Sequence, residues 1–154
     1  MGSSKDIDRV HGGFHIQKYV SKETIAGIKV IQKKDVYKTG RSEDAPAHSN
    51  TSTAYFSING ETGRVLSLKI YENRDSVMEF HMHETGERNK EGTVHYHIYR
   101  KNKDGKIERD DKERRLTPEL ELKYGPLMQA AYERNISLGL GGNPPNYDFI
   151  EKDK

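Results

Sequence analysis

The chain has 154 residues, of which 26 are basic and 24 acidic, giving a formal charge of +2, with 32% hydrophobic side chains and no cysteine. That length supports one hydrophobic core and not two independent ones, and the even charge balance supplies no overall field that would draw nucleic acid or a membrane. The missing cysteine excludes disulfides, thiolate metal sites and a Cys nucleophile, and no apolar run approaches the ~20 residues of a bilayer span.

The opening MGSSKDIDRV lacks the apolar stretch of a signal peptide, so export, if it occurs, is expected to be carried by a larger protein. A single domain over 1–154 is expected, with the polar segment 1–24 and a Gly/Pro-rich tail over 139–154 peripheral to it. After that first segment, IAGIKVIQ places Ile25, Ile28, Val30 and Ile31 in one or two strands, because β-branched side chains fit a pleated surface. Residues 38–52 are dense in Gly, Ser, Asp, Asn and Pro and read as a loop carrying His48. From Thr53 onward, TAYFSIN, RVLSLKIYE and VMEFHMHE alternate apolar with polar residues and are separated by the turns GETG and NRDS. TVHYHIYRKN is the fourth such run.

Successive strand residues point to opposite faces. Phe56, Ile58, Leu66, Leu68, Ile70, Met78, Phe80, Met82, Val94, Tyr96 and Ile98 then share an apolar face. The other face holds Tyr55, Ser57, Ser67, Lys69, Tyr71, Glu79, His81, His83, His95, His97 and Tyr99. The pairing expected is His83 with His95, His81 with His97 and Glu79 with Tyr99. A one-residue slip would send every side chain to the wrong face. Beyond the mixed-sign run YRKNKDGKIERDDKERR, which reads as a solvated connection, Thr117-Pro118-Glu119 has the form of a helix start. Leu120, Leu127, Met128 and Ala131 give it an apolar stripe, so a broken or kinked helix over 118–135 is expected to cover the apolar face. The fold class predicted is α+β: an antiparallel meander of four or more strands, packed on one face by a C-terminal helix.

Four of the seven histidines fall in the two His-x-His triplets of residues 79–100, EFHMHETGERNKEGTVHYHIYR. On paired strands they form a compact two-by-two grid, which admits three readings. It is a solvated polar face, as a half-exposed antiparallel sheet requires. It is a site for Zn or another transition metal on His81, His83, His95 and His97, since imidazoles from neighbouring strands can converge on one ion. Or it is an acid–base site for phosphodiester cleavage, in which the RNA 2′-OH is the nucleophile and the protein supplies a base, an acid and a group that meets the phosphate. For that third reading the candidates are His81 and His97 as the acid–base pair, His83 and His95 as substitutes, Glu79 tuning one of them, and Lys69 or Tyr99 meeting the phosphate. His48 can complete or replace a member of the pair, and Lys29, Lys33, Lys34, Lys38 and Arg41 can guide the nucleic-acid backbone.

The order His48-Ser49-Asn50, the Gly60–Gly63 turn, the Asn73–Asp75 turn and the two His triplets resembles the His-rich C-terminal toxin-like domains of phage minor head proteins and polymorphic secreted toxins. The resemblance covers residues 45–100. It implies a toxin-like ribonuclease domain; joined to the acid–base reading, the expectation is an endoribonuclease that needs no cofactor, takes RNA as substrate and acts in the cytoplasm, of a target cell if delivered as part of a larger exported protein. It also implies an acidic immunity protein as partner. The alternative is a metal-binding module of a phage or mobile-element protein without catalysis, or a metal-dependent nuclease.

Overall fold

A computed structural model describes residues 19–33, 49 and 52–152. Seven strands lie in one sheet in the order in which they occur in the chain. They are β1 Tyr19–Ile25, β2 Ile28–Lys33, β3 Ala54–Ile58, β4 Val65–Glu72, β5 Asp75–Met82, β6 Val94–Lys101 and β7 Ile107–Arg109, and they are followed by the helix α1 Pro118–Ser137. All neighbours pair antiparallel except β2 and β3, which run parallel. The α+β class and the meander from β3 to β6 are as the alternation predicts. The predicted loop over 38–52, including His48, lies outside the described residues apart from Ser49 and Ser52.

Two hairpins close through two-residue turns that require a left-handed backbone. Between β1 and β2 these are Ala26 and Gly27, at φ 51° and 82°, and between β4 and β5 they are Asn73 and Arg74, at φ 50° and 74°. Two consecutive positive φ values give the turn whose twist matches the flanking strands. Asn and Gly tolerate that conformation readily, whereas Ala26 and Arg74 accept a local cost for it.

The apolar face forms the core. Val30, Phe56, Val65, Leu68, Phe80, Met82 and Val94 are buried there together with Leu116, Met128 and Ala131. The helix begins as its sequence predicts, with the Thr117 hydroxyl accepting from the Leu120 N–H at 3.2 Å and Pro118 in the first turn. It runs through Pro126 as one element to Ser137, two residues beyond the predicted end. Its C-terminal half is fastened to the sheet by polar contacts. Buried Asn135 accepts from the Val65 N–H at 3.0 Å and donates to the Val65 carbonyl at 3.3 Å. Arg134 meets Glu23 at 2.7 Å and the Gly63 carbonyl at 2.6 Å. Among the described residues no helix is long and apolar enough to cross a membrane.

The β5–β6 register differs from the predicted one by two residues: His81 faces His95, Glu79 faces His97, Phe80 faces Tyr96 and Met82 faces Val94. A shift of two leaves every residue on its predicted face, so hydrophobic alternation cannot detect it. His83 lies just past the end of β5 and its N–H donates to the Thr93 carbonyl at 2.8 Å.

Candidate functional site

The sheet register writes the polar face out in rows. Ser57, Ser67, His81 and His95 line up across β3 to β6, and beside them Tyr55, Lys69, Glu79 and His97 form a second row. Tyr99 follows on β6, opposite Arg109 of β7. This face is not solvated, contrary to the first reading of the grid. Tyr55 and Glu79 are 0% and 1% exposed, and Lys69, His97 and His95 are 4%, 4% and 5% exposed. Tyr55 and Tyr71 pack edge to face at 5.4 Å and are buried with Ile31. Ser49, one residue past His48, is tied to this face by a 3.1 Å hydrogen bond with the Tyr55 hydroxyl.

Much of the cover comes from two segments whose sequences give little sign of it. The first is the charged run after β6. It contains β7 and then stays against β6, with the Asp110 N–H donating to the Ile98 carbonyl at 2.8 Å and the Tyr96 and Arg114 backbones exchanging bonds of 2.9 and 3.0 Å. Because Asp110 sits opposite Ile98 and Arg114 opposite Tyr96, residues 111–113 face His97 alone, a bulge that re-aims side chains. This stretch brings the Asp110 carbonyl to 3.0 Å from His97 Nδ1 and Glu113 Oε2 to 3.8 Å from His95 Nε2.

The second segment is the tail. The Val94 N–H donates to the Asn146 carbonyl at 2.8 Å and the Asn146 N–H to the Gly92 carbonyl at 2.9 Å. Asn89 clamps the Ile150 backbone through bonds of 2.7 and 3.3 Å. Arg115 meets Asp148 at 3.1 Å. Gly92, at φ 88°, lets the tail pass: a Cβ there would lie 2.7 Å from the Pro144 carbonyl oxygen. Between these anchors Phe149, 1% exposed, lies parallel to the His83 ring at 5.5 Å and against His95 at 5.1 Å.

Around Glu79 the contacts are dense. Its Oε1 accepts from the Tyr99 hydroxyl at 2.6 Å and lies 3.6 Å from Arg109 Nη1, while Oε2 lies 3.3 Å from His81 Nε2. Lys69 reaches across Glu79 to place its ammonium 4.7 Å from the centre of the Tyr99 ring. Burial raises the Glu79 pKa, but His81, the Lys69 cation and the Tyr99 hydroxyl outweigh it and hold the carboxyl well below the usual carboxylate range. The opposite holds for three histidines. Burial lowers His83, which Glu113 partly opposes. Burial and the neighbouring His81, His83 and His97 push His95 down to about 2. Burial lowers His97 too, against the pull of its bond to the Asp110 carbonyl. At neutral pH these three imidazoles are unprotonated, with a carboxylate fixed beside them.

No family model, curated protein or solved structure matches this chain. The likeness to toxin-like domains therefore rests on its own residues.

The grid is open beside His81. A cavity of about 320 Å³ is lined by Ser57, Ser67, His81, His83, Glu84 and His95, among others. The His81 side chain is 28% exposed and its Glu79 partner only 2%, so the carboxylate stands behind the ring as seen from solvent. His97, Lys69, Tyr99 and Glu79 do not line this cavity. The rings themselves are close: His81 to His95 is 5.4 Å, His81 to His97 5.5 Å, His95 to His97 5.0 Å and His83 to His95 4.6 Å between centres. Sequence reasoning thus found the four histidines, Glu79, Lys69 and Tyr99, which the structure brings together, but not Arg109, Asp110, Glu113 or Phe149. His48, Lys34, Lys38 and Arg41 lie outside the described residues. Lys29 sits on β2 opposite Tyr55.

Proposed function

We propose that this chain is an endoribonuclease of the toxin type, cleaving RNA phosphodiesters by histidine acid–base chemistry at the cavity wall formed by His81 and His95. The observation that supports it most directly is the His81–Glu79 pair, with an accessible imidazole 3.3 Å in front of a buried carboxylate. A carboxylate in that position holds the ring in place, and an accessible imidazole so held can serve as the proton donor. His95, stacked on His81 and held neutral by burial, is the complementary acceptor.

In the proposed reaction His95 takes the proton of the ribose 2′-OH and the 2′ oxygen attacks phosphorus. The bond to the 5′ oxygen breaks as His81 delivers its proton there, leaving a 2′,3′-cyclic phosphate and a 5′-hydroxyl end. The two histidines exchange protonation states and are reset through solvent. Ser57 Oγ, buried without a partner among the described residues, lines the same cavity and offers a donor to a phosphoryl oxygen. His97 serves as a positioning residue: its bond to the Asp110 carbonyl fixes its ring, and the ring packs edge-on to both members of the pair. Lys69, Tyr99 and Arg109 set the charge on Glu79 and do not touch the phosphate. The substrate class, action in the cytoplasm and an acidic immunity partner follow the resemblance of residues 45–100.

The test is incubation of the 154-residue protein with total and transfer RNA in excess EDTA, read on denaturing gels. Cleavage that leaves cyclic phosphate ends and disappears in His81→Gln supports the proposal. Intact RNA, or cutting that His81→Gln leaves unchanged, refutes it.

A further inference from the structure

At the opposite corner of the grid from Glu79, His83, His95 and Glu113 offer three ligand atoms that all lie within 4.8 Å of one another. We infer that this corner is a binding site for a divalent transition metal of the zinc class, held by two imidazoles and one carboxylate with a further coordination position open to the cavity. The inference stands on geometry and does not depend on the ribonuclease reading.

Three features of the corner suit such an ion. Ligands at ~2.0–2.1 Å from a tetrahedral zinc are themselves ~3.3 Å apart. The 3.8 Å between His95 Nε2 and Glu113 Oε2 is too long for a good hydrogen bond and close to that ligand spacing. His83 Nε2 and His95 Nδ1 are both buried without hydrogen-bond partners among the described residues, although His95 is only 5% exposed. Unsatisfied buried nitrogens cost free energy, and a ligated ion would remove that cost at His83. Finally, Phe149 stacks on His83 and leans on His95, giving the two rings a dry wall that holds their orientation.

The donor set also selects the ion. Two imidazole nitrogens and one carboxylate oxygen suit zinc and its first-row neighbours, whereas magnesium and calcium take oxygen ligands. Three protein ligands and an adjoining cavity of about 490 Å³, lined by His83, Glu113, Arg88 and Lys152 among others, match a site that keeps a place for water or an anionic ligand. When an ion is seated there, His95 is a ligand and not a proton acceptor, so the metal-free chemistry proposed above belongs to the apo protein.

The experiment uses the full 154-residue protein prepared without a polyhistidine handle and stripped with EDTA. Zinc is added in a calorimeter, and cobalt(II) is followed by visible absorption. One equivalent is expected, with the intense cobalt bands of a low-coordinate site, and zinc should raise the melting temperature. Glu113→Gln and His83→Gln, both at partly exposed positions, should each weaken zinc by ~10–100-fold or more and abolish the thermal shift. His81→Gln, which lies outside the set, should bind zinc as the wild type does. Absence of stoichiometric binding overturns the inference, as does binding that survives both ligand variants or is lost in His81→Gln. None of these readouts involves RNA, so the metal site can fail while the ribonuclease reading stands, and the reverse.

Discussion

Lowering the pH from 7.5 to 5.5 in the presence of EDTA is predicted to destabilise the fold by an amount set by the buried histidines. His95 and His97 are 5% and 4% exposed, and both titrate below the ordinary histidine range in the folded protein. His95 is surrounded by His81, His83, His97, Arg109 and Glu113, and His97 by the Asp110 carbonyl, Arg109, His81 and Glu79. In the unfolded chain both take up protons as the pH falls through ~6.5. The unfolded state then binds more protons than the folded one, so stability is full above that value and declines below it. Each group costs ~1.4 kcal/mol per pH unit once well into the window. Between pH 7.5 and 5.5 His95 removes ~1.4 kcal/mol, and His97 adds a loss of the same sign, against the ~5–15 kcal/mol typical of a domain. His83 adds a smaller amount, because its partial exposure lets solvent screen it. Glu79 plays no part in this interval, since its depressed pKa matters only below the ordinary carboxylate value of ~4.3. Urea unfolding followed by far-ultraviolet circular dichroism measures the loss directly, and His95→Gln should reduce it by ~1.4 kcal/mol. Equal stability at the two pH values would show that these rings are not held neutral and would sink the argument.

Phe149→Ala should cost ~3–5 kcal/mol in urea, as truncation of a buried aromatic does, and histidine resonances followed by NMR should show His83 and His95 titrating closer to the ordinary range. A tail that is merely draped over the surface would change neither. Asn135→Leu strands the Val65 N–H and carbonyl, so a loss of ~1–3 kcal/mol is expected on thermal unfolding; a neutral result would mean that water replaces the amide. Gly92→Ala meets both the positive φ and the Pro144 carbonyl, and should lower stability by ~1–3 kcal/mol while quickening proteolysis of the tail. Undiminished resistance to protease would place the tail elsewhere.

What the sequence could express, and what it could not, divides along physical lines. Alternation in RVLSLKIYE, VMEFHMHE and TVHYHIYR assigns both faces, and Thr117-Pro118 marks the helix start, because each of these is decided by near neighbours. The β5–β6 register is not decided that way, since shifts of two residues are equivalent to the pattern; the loop from His83 to Thr93 and the docking of Asn146 on Val94 choose between them. The burial of the polar face was equally hidden. Glu113 stands in a run whose composition is that of a solvated connection, and Phe149 shares a tail rich in Gly, Pro and Asn with one other aromatic, Tyr147. The available signal was the pair of aromatics Tyr147 and Phe149 in that tail, together with Asn89, whose side chain can bond a backbone that lacks a strand partner.

Strand order identical to chain order has a kinetic consequence. His81 and His95 meet when one short loop closes, and each further strand of the meander adds to its predecessor, so the loop-closure entropy at every step is small. Glu113 and above all Phe149 come from much later in the chain. During synthesis the two histidine triplets can therefore pair while the residues that cover them have still to be translated. Refolding should show the same sequence of events, with sheet signal appearing before the imidazoles lose contact with water.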